Sequence, residues 1–111
     1  YPINRYAMET KRLFDVTDQR LAQSEFLGGK DYTIADMATW PWLSPFVLGN
    51  IYGEARTFLS IHEYTHVERW VKQIAERPAA RRGRIVNKTW DDDDAQLRER
   101  HSAADFDGKA I

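Results

Sequence analysis

At 111 residues, with 42% hydrophobic and 13% aromatic content, the chain is long enough for one apolar core and suits a single domain. A formal net charge of −1 argues against non-specific affinity for nucleic acid or a membrane surface, and no apolar run approaches the roughly 20 residues a membrane helix takes. There is no cysteine, which excludes disulfides, thiol nucleophiles and thiolate metal ligands within these residues. The chain opens on Tyr1, not Met, and reads as a piece of a longer protein.

Residues 1–26 have the spacing of one long helix. Ile3, Tyr6, Ala7, Thr10, Leu13, Phe14, Thr17, Leu21 and Ala22 recur at three- and four-residue steps, which predicts one buried face. Gly28 and Gly29 are expected to end that helix, since glycine accepts a left-handed backbone. If the apolar stripe stays uncovered, it should drive self-association through this helix.

A second apolar stretch runs from Ile34 to about Ile51, with Pro41 and Pro45 expected to kink or restart it. Its entrance is polar. With Thr33 as N-cap, Asp36 falls at the third helical position, so each side chain can accept from the other's amide in a capping box. Tyr32 and Met37 occupy the positions of a hydrophobic staple. No acid or base partner for Asp36 stands out, so it is read as a structural cap and not as a catalytic acid. Its removal should cost roughly 1–3 kcal/mol. Trp40, Trp42 and Trp70, all within apolar runs, are expected in the core.

A third helix is expected over Glu63–Glu76, with Tyr64, Val67, Trp70, Val71 and Ile74 buried and with Ser60 and Glu63 as its capping box. The stretch "HEYTH", residues 62–66, matches the zinc-protease pattern H-E-x-x-H. A catalytic zinc takes a third protein ligand, and nothing singles one out, so no metal site is assigned. Pro78 suits the first turn of a further helix. Arg77, Arg81, Arg82 and Arg84 are read as cations complementing a helix end, with no nucleic-acid partner. Beyond Gly83 regularity fades, and "DDDD" at 91–94 should be solvated loop. Ile85, Val86, Leu97 and Phe106 are the expected anchors of a docked tail. No period-two pattern appears, so the class is all-α.

"FLGGKDYTIADMATWPW", Phe26 to Trp42, closely resembles the capping-box segment in the helical C-terminal domain of glutathione transferases. "YTHVERWVKQIAERPAARRG", 64–83, is similar to the helix that follows there. "YPINRY" and the tail "RGRIVNKTW…LRERHSAADF" look like the bacterial nu-class transferases, which reduce disulfides with glutathione. The resemblance implies a helical bundle over 1–84, lacking the domain's leading helix, and an arm over 85–111 that packs on it. It also implies a preceding thioredoxin-like domain that activates glutathione and has no counterpart in these residues.

Glutathione would be the co-substrate and a disulfide or electrophile the partner, in a cytoplasmic homodimer that contacts neither membrane nor nucleic acid. Arg5 matches the arginine that helps hold one of two glutathiones, and a guanidinium fork suits a peptide carboxylate. The 111 residues alone are expected to be inactive. The competing reading is a transferase-like helical domain used as a non-catalytic interaction module.

Overall fold

The long amphipathic repeat at the start becomes a 22-residue helix, α1 (Pro2–Gln23). The computed structural model describes residues 2–49, 54–86, 96–97 and 99–107. After α1 come α2 (Ile34–Leu48), a short α3 (Ala55–Phe58), a 3-10 turn (Ile61–Glu63), α4 (Thr65–Ala75), α5 (Pro78–Arg84) and a second 3-10 turn (Ala103–Phe106). Among the described residues there is no strand, only an isolated bridge between Phe26 and Gly29. The chain divides into two units, Tyr1–Lys72 and Gln73–Ile111.

The first unit is built on aromatic packing. Phe14 is fully buried and meets the Phe46 ring edge-on at 5.7 Å and the Tyr64 ring at 5.5 Å. Among the described residues, Leu21, Phe26, Trp40, Leu43, Val47, Leu59, Ile61, Tyr64, Val67, Trp70 and Val71 are the other buried apolar side chains of this unit. Burying each large side chain contributes roughly 1.5–3 kcal/mol. The Trp40 indole is not left wanting, because its Nε1–H donates to the Val71 carbonyl at 3.1 Å.

α1 uses less of its stripe than its spacing implies. Only Phe14 and Leu21 are buried, while Ile3, Tyr6 and Leu13 are exposed. The helix ends at Gln23, five residues before Gly28, so the glycines do not cap it. Its last carbonyls are taken by a side chain distant in sequence: Arg69 donates to the carbonyls of Leu21, Ser24 and Glu25. The glycines serve the turn instead. Phe26 and Gly29 exchange backbone hydrogen bonds at 2.8 and 3.2 Å, and a Cβ on Gly28 would stand 3.1 Å from the Thr33 hydroxyl.

α2 runs unbroken through Pro41 and Pro45, so no restart occurs. Each proline removes one backbone donor without ending the helix. Gly49, in the left-handed region at φ 75°, closes the helix by donating its N–H to the Pro45 carbonyl. The buried positions, Asp36, Trp40, Leu43, Ser44 and Val47, follow a 3.6-residue period. Trp42 lies on the opposite face and is 78% exposed, which corrects its expected place in the core.

The start of α4 also differs from expectation. Residues 61–63 form a 3-10 turn, the α-helix begins at Thr65, and Ser60 has a left-handed backbone (φ 53°) with no side-chain cap bond. The Ser60–Glu63 capping box is therefore absent. Asp18 of α1 does the capping, its Oδ1 accepting from the amides of His66 (2.9 Å) and Val67 (3.0 Å). α1 and α4 thus cap each other, Asp18 at one helix start and Arg69 at the other helix end, both sign choices favoured by the helix dipoles. Asp18→Ala should destabilise the first unit by about 1–2 kcal/mol in urea denaturation, as loss of an N-cap does.

In the second unit, Arg77 donates its backbone N–H to the Ile74 carbonyl and Pro78 opens α5. Ile74 and Ile85 are its buried apolar residues among those described. Arg81 pairs with Glu76, and the Arg82 guanidinium lies 4.5 Å from the centre of the Phe106 ring, a cation–π contact. Asp105 accepts from the Ser102 amide at 2.7 Å and steadies the last turn. Leu97 and Phe106 are half-buried and Val86 is 39% exposed. The expected solvated loop at 91–94 lies outside the described residues.

Candidate functional site

Asp36 has no exposed surface. Its carboxylate collects three donors: the Leu27 amide (3.0 Å) and the Trp70 indole (2.8 Å) on Oδ1, and the Thr33 amide (3.0 Å) on Oδ2. The Thr33 hydroxyl in turn accepts from the Ala35 amide at 3.3 Å, and the capping box is closed. Tyr32 packs edge-on against Phe26, at 5.8 Å, while Met37 is half exposed. A carboxylate fully engaged by three protein N–H groups holds the loop, α2 and α4 together. It has no surface on which to meet a substrate.

The "HEYTH" segment does not form the single helix a zinc motif requires. His62 and Glu63 belong to the 3-10 turn, Tyr64 separates them from α4, and His66 sits in its first turn with its amide on Asp18. Among the described residues no group of three or more metal-ligating side chains gathers anywhere.

The first three turns of α1 offer a different kind of surface. Asn4, Arg5, Tyr6, Met8, Glu9 and Arg12 line an open depression of about 880 Å³. Arg5, Glu9 and Arg12 fall at i, i+4 and i+7, so they share one helix face. Glu9 takes Arg12 as a two-pronged pair, at 2.9 Å to Nε and 2.7 Å to Nη2. That hydrogen bonding, with the charges of Arg12 and Arg5, holds the Glu9 carboxyl below its ordinary range. The Arg5 guanidinium makes no hydrogen bond or salt bridge among the described residues, and the residue is exposed. Its fork is available to a carboxylate, whereas the Arg12 fork is occupied. The spacing of Glu9 and Arg12 from Arg5 is visible in the sequence; Asp18 and Arg69, acting across 44 to 49 residues, leave no local sign.

The chain has counterparts among known proteins. The family model "Glutathione S-transferase, C-terminal domain" matches residues 3–73. The disulfide-bond oxidoreductase YghU of Escherichia coli K12 is 55% identical over 107 residues, 96% of this chain and 37% of that protein. The disulfide-bond oxidoreductase YfcG of the same organism is 39% identical over 79 residues, 71% of this chain and 33% of that protein. Among solved structures, glutathione transferase YghU from Streptococcus pneumoniae, complexed with glutathione, superposes with a TM-score of 0.72 at 47% identity, over 75% of this chain and 32% of that one. The chain therefore spans about a third of the length of these relatives.

Proposed function

The chain belongs to the glutathione S-transferase C-terminal domain family, and on that premise we propose that it forms the helical part of a longer glutathione-dependent disulfide reductase. The observation that carries this reading is 55% identity to a disulfide-bond oxidoreductase across 96% of the chain. Chemistry narrows it further. The 111 residues contain no cysteine, so none of them supplies the thiolate that attacks a disulfide, and in this reading glutathione supplies it. One glutathione thiolate displaces one sulfur of the substrate and forms a mixed disulfide. A second glutathione then attacks that mixed disulfide at the glutathione sulfur, releasing the other substrate thiol and leaving oxidised glutathione. Two glutathiones have to be held close together, each carrying carboxylates.

Arg5 supplies the anchor for one of those carboxylates, through the fork left open beside the Glu9–Arg12 pair. Activation of the thiol falls to the thioredoxin-like domain that the resemblance implies. The cytoplasm, where glutathione is kept mostly reduced, is the setting such a reaction takes. No helix among the described residues is long and apolar enough to cross a membrane.

The test is glutathione-dependent turnover of a small organic disulfide by the complete protein that carries these residues. Arg5→Ala should lower kcat/KM about 10- to 100-fold, the worth of one charge-assisted carboxylate contact, with the fold unchanged. Unchanged kcat/KM would remove Arg5 from the site, and absence of turnover in the unsubstituted protein would end the disulfide-reductase reading.

The protein is further proposed to be a homodimer. Tyr6, Leu13 and Val16 lie exposed along one side of α1, with Ile3 and Met8 exposed near its start. Apolar area left in water costs roughly 25 cal/mol per Å². Light scattering of this chain should report twice the monomer mass, and Leu13→Glu with Val16→Glu should return it to monomer. A monomer at high concentration without any substitution would contradict the dimer.

A further inference from the structure

Glu9 has accepting capacity that Arg12 does not use. Arg12 donates once to each carboxylate oxygen of Glu9, whereas a carboxylate has about four acceptor positions, and the Glu9 side chain stays 52% exposed. Its carboxyl is held below the ordinary range, so at neutral pH it carries a full negative charge. Arg5 stands one helical turn away on the same face, close enough for its charge to act on Glu9, and both line the depression at the start of α1. The face therefore reads plus, minus, plus along Arg5, Glu9 and Arg12, with the first fork open and the central carboxylate partly open. A site for a bare carboxylate would bind better without Glu9, whose charge repels it. A site for a carboxylate joined to an ammonium uses both groups.

Glutathione has one end of each kind. Its glycyl end is a lone carboxylate behind a neutral amide, and its γ-glutamyl end carries a carboxylate and an ammonium on the same carbon. We infer that the depression takes the γ-glutamyl end, its α-carboxylate forked on Arg5 and its α-ammonium on Glu9. This rests on the reading of Arg5 as a glutathione anchor. Side chains at i and i+4 rise from Cβ atoms about 5–6 Å apart, so a guanidinium and a carboxylate there can close on two groups that share one carbon. Arg12 steadies the Glu9 carboxylate, and because its own fork is filled it adds no second carboxylate site.

The test uses the complete protein and two thiols: glutathione, and glutaryl-cysteinylglycine, which is glutathione with hydrogen in place of the amino group. Each is varied as the reductant of bis(hydroxyethyl) disulfide. Glu9→Gln should lower kcat/KM for glutathione about tenfold, as expected for one charge-assisted hydrogen bond, and change it less than about twofold for the analogue. Glu9→Gln also frees Arg12, so the double variant Glu9→Gln with Arg12→Gln serves as its companion. It leaves no freed guanidinium and should show the same loss of preference for glutathione over the analogue. An equal change with both thiols in Glu9→Gln overturns the inference, since Glu9 would then act only through Arg12. So does a preference that survives in the double variant. Absence of turnover by the unsubstituted protein overturns this inference together with the disulfide-reductase reading, whereas a surviving preference in a working enzyme overturns this inference alone.

Discussion

Replacing Asp36 with alanine should lower the stability of the helical unit by about 3–5 kcal/mol, more than the loss of a simple cap. A capping aspartate ordinarily contributes about 1 kcal/mol, up to about 2. Here the side chain is fully buried and its loss also strands the Leu27 amide and the Trp70 indole, the latter buried. Each stranded donor costs about 1–3 kcal/mol, though the costs do not simply add. At about 4–8 °C per kcal/mol for a domain of this size, the melting temperature should drop by at least about 12 °C. The asparagine variant gives a sharper reading. In Asp36→Asn the amide oxygen can keep both Oδ1 bonds, but the NH₂ group then faces the Thr33 amide, donor against donor. The expected loss is about 1–2 kcal/mol, between native and alanine. An asparagine variant as stable as the native chain would show that the Thr33 bond adds nothing.

Trp70→Ala should cost about as much, roughly 4–5 kcal/mol, because it empties the largest fully buried side chain and removes the Asp36 indole bond together. That is close to the whole stability of a small domain, so circular dichroism should report an unfolded chain. Trp70→Phe keeps most of the ring and deletes the donor, which should cost about 1–2 kcal/mol. Combined with Asp36→Ala, it should cost less than the sum of the two single changes by about 1 kcal/mol, since the shared bond can be lost only once. Strict additivity in urea denaturation would mean that the 2.8 Å contact carries no energy.

The Asp36 cap is legible in the sequence because its pattern is local: Thr33 and, three residues on, a carboxylate, ahead of an apolar run. Its indole and Leu27 donors are not, because Trp70 lies 34 residues away and the chain has to fold before they meet. The same division explains the ends of α1 and α4. Gly28 and Ser60 carry the right local chemistry for caps, yet tertiary partners, Arg69 and Asp18, take those roles at helix ends displaced from the expected places. Trp42 departs from expectation for another reason. In an apolar run, hydrophobicity alone does not say which face is inside; the 3.6-residue period set by Asp36, Trp40, Leu43 and Val47 does. Arg5 is reached through resemblance, and the adjoining Glu9–Arg12 pair, visible at helical spacing, explains why one of the two guanidinium groups there is left open.

Arg5 is proposed to receive a glutathione carboxylate, and a crystal structure of the complete protein with oxidised glutathione shows whether it does. A glutathione carboxylate should lie forked on the Arg5 guanidinium, with Glu9 still paired to Arg12. A well-ordered glutathione whose carboxylates all lie on other residues, with Arg5 turned to solvent, would contradict it.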